Sequence, residues 1–149
     1  MTRDVLVTIC GIQLLTDLKE KQDNIELTVS GSYYLKNGKH YILYDELTEG
    51  DHEVIHNTLK LQHNMVELRK KGASEAHMVF EKNKKNITCY HTPYGDLLMG
   101  IDASKVELQE EEDLIEARVN YQLEMNEEKM ADCRISIRIQ SKEAGRFRL

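Results

Sequence analysis

The chain has 149 residues, a length that fits one domain, and nothing in it has the composition of a linker between two. Its 20 Lys plus Arg stand against 26 Asp plus Glu, giving −6 with neutral histidine, the wrong sign for a phosphate-binding surface, so nucleic acid is not an expected partner. No apolar run approaches the roughly 20 residues of a membrane helix and the N-terminus has no apolar signal core, so a cytoplasmic protein with no membrane partner is expected.

The elements predicted in chain order are almost all strands. Val5, Val7 and Ile9 alternate with Leu6, Thr8 and Cys10, and a polar loop at Lys19 to Asn24 leads to a long strand from Ile25 to Leu35. Asn37-Gly38 then joins two runs rich in aromatic and β-branched residues, the signature of a two-residue type I′ hairpin. That turn sets the register: Lys36 opposes Lys39, Leu35 opposes His40, Tyr34 opposes Tyr41 and Tyr33 opposes Ile42. Continued, it sets Gly31 across from Tyr44, whose ring would cover the glycine, and Val29 across from Glu46. The inward face is then Ile25, Leu27, Val29, Gly31, Tyr33 and Leu35 with Ile42 and Tyr44, and on the same parity Glu46 points inward.

A polar turn around Gly50 precedes Val54 to Leu61, where the inward face is the least defined, because His56, Thr58 and Lys60 share one side and Leu59 and Leu61 the other. His63-Asn64 reads as a tight turn into Met65 to Lys70, ended by Gly72. Glu75 to Phe80 and Ile87 to Thr92 flank a basic turn, Lys82 to Asn86, and Pro93-Tyr94-Gly95 turns the chain into Leu97, Met99 and Ile101. The acidic run around Glu107 to Asp113 reads as a solvated loop or, over Glu107 to Glu116, a helix. Ala117 to Met125 and Cys133 to Ile139 are clear strands, and a tail from about Gln140 is expected to fray. Eight to ten short antiparallel strands with short loops describe an all-β barrel or sandwich in a single domain spanning 1–149.

Three motifs carry a resemblance: Gly31, Tyr33, Tyr34, Gly38, Tyr41, Ile42, Tyr44 and Glu46 across the hairpin, Tyr90 to Leu97 (YHTPYGDL), and Val119 to Leu123 followed by Ile135 to Ile137. Through them the chain resembles the DUF1934 or YwiB-like family of bacterial proteins over about Val5 to Ile139. The resemblance implies a small calycin-like (lipocalin-like) antiparallel β-barrel. It implies no reaction, so no catalytic residue is carried over. In one departure, Lys70 stands two positions before Gly72 where the family leads one to expect arginine, so a bidentate contact is not expected there.

The candidate chemistry starts from Glu46. An inward carboxylate left alone costs several kcal/mol and must be paired, hydrogen-bonded or protonated. Val66, Leu68 and Lys70 share a face, so Lys70 is its natural cation. Glu46 and Lys70 with Tyr44, Tyr33, Tyr90 and Thr92 are therefore the candidate ligand-binding residues; the competing reading is a structural ion pair at the barrel rim. Tyr90 and Thr92 stand on one face of a strand beside the Pro93-Tyr94-Gly95 turn, where their hydroxyls could line a cavity, but core packing of Tyr90 plus turn chemistry is the favoured explanation. Cys89 and His91 point the same way from one strand, but two donors do not make a metal site, and neither His91 nor His40 is placed as a haem ligand, so no metal and no cofactor is expected. Cys10, Cys89 and Cys133 read as reduced thiols, and the Asn86-Ile87-Thr88 sequon has no meaning in a chain that is not secreted.

No nucleophile elbow, phosphate loop, dinucleotide fingerprint or HExxH helix occurs, which argues against an enzyme. The expected function is non-enzymatic binding of a small molecule in the barrel. The alternatives are a solid barrel that docks a protein partner and an enzyme with Glu46 as general base; either a monomer or a homodimer is compatible.

Overall fold

The computed structural model of the chain describes residues 1–15, 25–47, 53–72 and 75–142. Among the described residues ten strands form one antiparallel sheet: β1 (Asp4–Leu15), β2 (Ile25–Lys36), β3 (Lys39–Leu47), β4 (Val54–Gln62), β5 (Met65–Lys71), β6 (Ala76–Glu81), β7 (Lys84–Thr92), β8 (Gly95–Glu110), β9 (Leu114–Met125) and β10 (Glu128–Ser141). Their order, β6-β5-β4-β3-β2-β1-β10-β9-β8-β7, is a meander whose first and last strands pair. The sheet thus curls into a nearly closed calycin-like barrel with one seam, between β6 and β7. At the seam Glu75 and His91 exchange two backbone hydrogen bonds of 2.9 Å. Closure satisfies strand edges that an open sheet would expose.

The Asn37-Gly38 turn has φ of 54° and 75°, the mirror-image geometry expected of an Asn-Gly hairpin, and the pairs from Lys36–Lys39 to Tyr33–Ile42 form as the turn dictates. Beyond Ser32–Leu43 the ladder stops, so the further pairs Gly31–Tyr44 and Val29–Glu46 are not made. There β2 follows β1 instead, Gly31 opposing Val5 and Val29 opposing Val7. Gly31 is also not roofed by the Tyr44 ring. A Cβ at position 31 would lie 2.9 Å from the Leu43 carbonyl oxygen and 3.0 Å from Val7 Cγ2, so the missing side chain permits two backbones to touch where the strands part. Leu35, placed inward by alternation, sits at the hairpin tip and is exposed.

Inward residues alternate along every strand. Val5 and Val7, Ile42 and Tyr44, Leu59 and Leu61, Val66, Phe80, Met99 and Ile101, Ile115 to Val119, and Ile137 and Ile139 form one core. Three predicted boundaries move. The β6–β7 turn is only Lys82-Asn83, and Lys84 to Asn86 already belong to β7. Of the acidic stretch only Glu111 to Asp113 is a turn, and none of it is helix: β8 continues to Glu110 and β9 begins at Leu114. A bulge between Ala103 and Lys105 flips the parity, so that Val106 and Leu108 face inward after Met99, Ile101 and Ala103, and Glu107 between them faces out. Finally β10 runs through Gln140 to a fully buried Ser141, past the expected start of the tail, whose residues 143–149 lie outside the described chain. The predicted loops at Lys19 to Asn24 and around Gly50 lie there too.

Candidate functional site

The two ends of the barrel differ. At one end stand the β2–β3, β4–β5, β6–β7 and β8–β9 turns; at the other stand the Pro93-Tyr94 and Asn126-Glu127 turns. Along β3, six residues separate His40 at the first end from Glu46 at the second, about 20 Å of strand. The candidate residues therefore cannot all serve one small ligand.

At the first end, Tyr33 donates its hydroxyl proton to His40 Nδ1 at 2.6 Å, and His40 Nε2–H donates to Glu110 Oε1 at 2.9 Å. His63 Nε2 stands 3.7 Å from the same oxygen. β3 and β8 are opposite walls of a ten-strand meander, so the His40–Glu110 bond crosses the barrel and closes its mouth. Burial, aided by the Glu110 charge, raises the Tyr33 pKa above that of a free phenol. Tyr33 thus belongs to a closure and not to a site shared with Glu46.

At the second end, the register sets Tyr44, Asn57, Lys70 and Ala76 side by side across β3, β4, β5 and β6. Directly opposed residues have Cβ atoms about 5 Å apart, so these four make a continuous strip of the inner wall. Glu46 stands one inward position further along β3, and Lys70 Nζ donates to Glu46 Oε1 at 3.0 Å. The pair is only partly buried, with side chains 17% and 27% exposed for Lys70 and Glu46 respectively. Tyr44 is buried beside it; burial first, and the Glu46 carboxylate second, hold its hydroxyl neutral far into the alkaline range.

Asn57 is the residue that the sequence did not single out. It is 2% exposed and shares inward parity with Ile55, Leu59 and Leu61. Its Nδ2 reaches the Ile55 carbonyl at a long 3.3 Å, and its Oδ1 is buried without a hydrogen-bond partner. Asn86, inward on β7 opposite Ile101, likewise has a buried Nδ2 with no partner. Tyr90 packs against the core on β7, one residue before the seam pair; since Glu75 meets His91 there and Ala76 pairs with Lys70, it stands at the level of the Tyr44–Asn57–Lys70 strip. The side chain of Thr92 lies outside the described residues. Tyr94 is fully exposed on its turn.

The structure thus brings Tyr44, Glu46 and Lys70 together, adds Asn57 between them, sets Tyr90 at the same level and separates Tyr33. Among the described residues, one surface groove reaches Tyr44 between Asp4, Gly31, Leu43 and Asp45, and two more open away from these residues. The one of about 410 Å³ is lined by Lys105, Arg118, Asn120 and Arg134 around Cys10. Among the described residues no helix is long and apolar enough to cross a membrane.

With this geometry in hand, comparison with known proteins yields two matches. No curated protein matches the chain significantly. The crystal structure of the ywiB protein from Bacillus subtilis is similar at a TM-score of 0.67 and 19% identity, covering 92% of this chain and 93% of that one, a likeness of fold. The family described as domain of unknown function DUF1934 matches residues 9–137, most of the barrel. On that match over most of its length, this chain belongs to the DUF1934 family.

Proposed function

We propose that the protein binds a small polar molecule without transforming it, at the second end of the barrel against Tyr44, Asn57, Lys70 and Glu46. The observation that carries this reading is the buried, unpartnered Asn57 Oδ1. An acceptor in that state costs about 1–3 kcal/mol, and native proteins retain few of them without a reason. A donor on a ligand would satisfy it. The Glu46 and Lys70 charges cancel, so the wall favours a ligand with no net charge. Lys70 uses one of its three N–H groups on Glu46 and keeps others for an acceptor. The matching ligand class is a neutral or zwitterionic molecule that carries a donor beside an acceptor, such as a small amide, an amino acid or a hydroxylated compound.

A thermal-shift panel of such compounds tests this. A ligand at about 100 times its Kd adds about 2.7 kcal/mol to stability. Asn57→Leu is expected to raise the stability of the ligand-free protein by about 1 kcal/mol, because it replaces an unsatisfied amide with an apolar group of similar size, and to abolish the ligand-induced shift. A shift of the same size in Asn57→Leu would place the ligand elsewhere. A loss of stability on that substitution, with no compound shifting the wild type, would contradict the reading.

A further inference from the structure

Outside the barrel, at its seam, three metal-ligating side chains converge. Even-numbered residues of β7 face the core, so Cys89 and His91 face outward and are exposed. The Pro93-Tyr94 turn returns β8 so that Asp96 lies directly opposite His91, on the same face. Asp96 Oδ1 is 2.8 Å from His91 Nδ1, and Cys89 Sγ is 3.9 Å from the same nitrogen. One donor atom from each residue lies within 4.8 Å of the others. The sequence shows two of these donors; only the turn and the register reveal the third.

A thiol, an imidazole and a carboxylate also compose a nucleophile relay, but that chemistry needs the thiol on one ring nitrogen and the carboxylate on the other. Here both approach Nδ1, so this nitrogen cannot take the thiol proton while it donates to Asp96. Three donor atoms gathered around one point can instead share an ion, which would take the place of the proton between His91 Nδ1 and Asp96. A tetrahedral zinc ion with bonds of about 2.0–2.3 Å separates its donors by about 3.3–3.8 Å. The distances found straddle that range, and small rotations of exposed side chains reach it. The scaffold under them is firm, because the His91 backbone is hydrogen-bonded twice to Glu75 across the seam and lies in the β7–β8 ladder on its other side.

We propose that Cys89, His91 and Asp96 bind a divalent transition-metal ion of the zinc class, with water completing the shell. A thiolate with an imidazole selects zinc, cobalt or nickel over magnesium and calcium, whose ions prefer an all-oxygen shell. An ion held there ties β7 to β8 beside the only seam found among the described strands.

The test uses the full-length reduced protein titrated with cobalt(II). The expected result is a thiolate-to-cobalt charge-transfer band with the visible bands of tetrahedral cobalt, displaced by equimolar zinc. Cys89→Ser removes the charge-transfer band and the zinc-induced rise in Tm, Cys10→Ser keeps both, and Asp96→Asn weakens zinc binding by at least about tenfold. Cys89 and Asp96 are exposed and Cys10 is half-buried, and an unchanged circular dichroism spectrum verifies that the variants fold. Absence of the band at millimolar cobalt, or its survival in Cys89→Ser, overturns the proposal.

Discussion

At the scale of residues, the carboxylate that ends the apolar face of β3 is answered by Lys70, two strands away and 3.0 Å distant. The pair lies between two limits. A fully buried pair broken on one side costs several kcal/mol, while an exposed pair is worth 1 kcal/mol or less. Lys70→Met leaves Glu46 unpaired beside the buried Tyr44 and is expected to cost about 2 kcal/mol, whereas Glu46→Gln leaves an ammonium that can extend to water and costs about 1 kcal/mol or less. Urea titrations read both values. Wild-type stability in both variants would mean that solvent screens the pair completely. Glu46 and Lys70 were legible in the sequence because each falls on the inward parity of an otherwise apolar strand. Asn57 was not, since an amide on the inner face of β4 defeats the alternation that marks an inner face. Nor was the Tyr33–His40–Glu110 chain, whose second bond joins residues 70 apart on opposite walls.

At the scale of elements, two features explain where strand reading held and where it failed. The Asn37-Gly38 turn set the register of β2 on β3 correctly for five pairs, because turn geometry fixes pairing locally. It failed further along because β2 is shared with β1, and the sheet parts from β3 after Ser32. Gly31 stands at that point. Gly31→Ala would push a methyl group against the Leu43 carbonyl and Val7, with an expected cost of about 1–3 kcal/mol from overpacking. The urea midpoint checks this, and an unchanged midpoint would show that β2 and β3 separate there at no cost. The bulge at Ala103–Lys105 is the second feature. A single extra residue carries no composition of its own, yet it transfers Val106 and Leu108 to the inner face and keeps the first half of the acidic stretch, to Glu110, in the strand. Read without the bulge, the same residues look like a solvated loop.

At the scale of the whole molecule, the barrel is apolar through its middle, closed by a polar chain at one end and lined by tyrosine, amide and an ion pair at the other. Short connections between sequence neighbours make a run of antiparallel strands readable from strand count but leave barrel and sandwich open, because closure through β1 and β10 depends on the first and last strands meeting. The barrel also predicts a response to alkali. Tyr44 and Tyr121 are held neutral well above the free phenol value of 10.0 mainly by burial, and Tyr33 is shifted in the same direction. Above about pH 10 the unfolded chain therefore loses these protons while the folded chain keeps them. The folded state then binds more protons, so its stability is complete below that pH and falls as the pH rises through and beyond it. Stability measured in urea should be flat to about pH 9 and decline above about 10. Ionisation of all seven tyrosines before any loss of β-sheet signal would contradict the burial of these three.

The measurement that bears most directly on a ligand at Asn57 is native mass spectrometry of the full-length protein as purified, set against its denatured mass and against Asn57→Leu prepared in the same way. A reproducible extra mass on the folded wild type, released on denaturation and missing from Asn57→Leu, is the predicted result. A clean protein mass for the wild type, or an adduct equally abundant on Asn57→Leu, would contradict it and leave a filled barrel that acts through its surface.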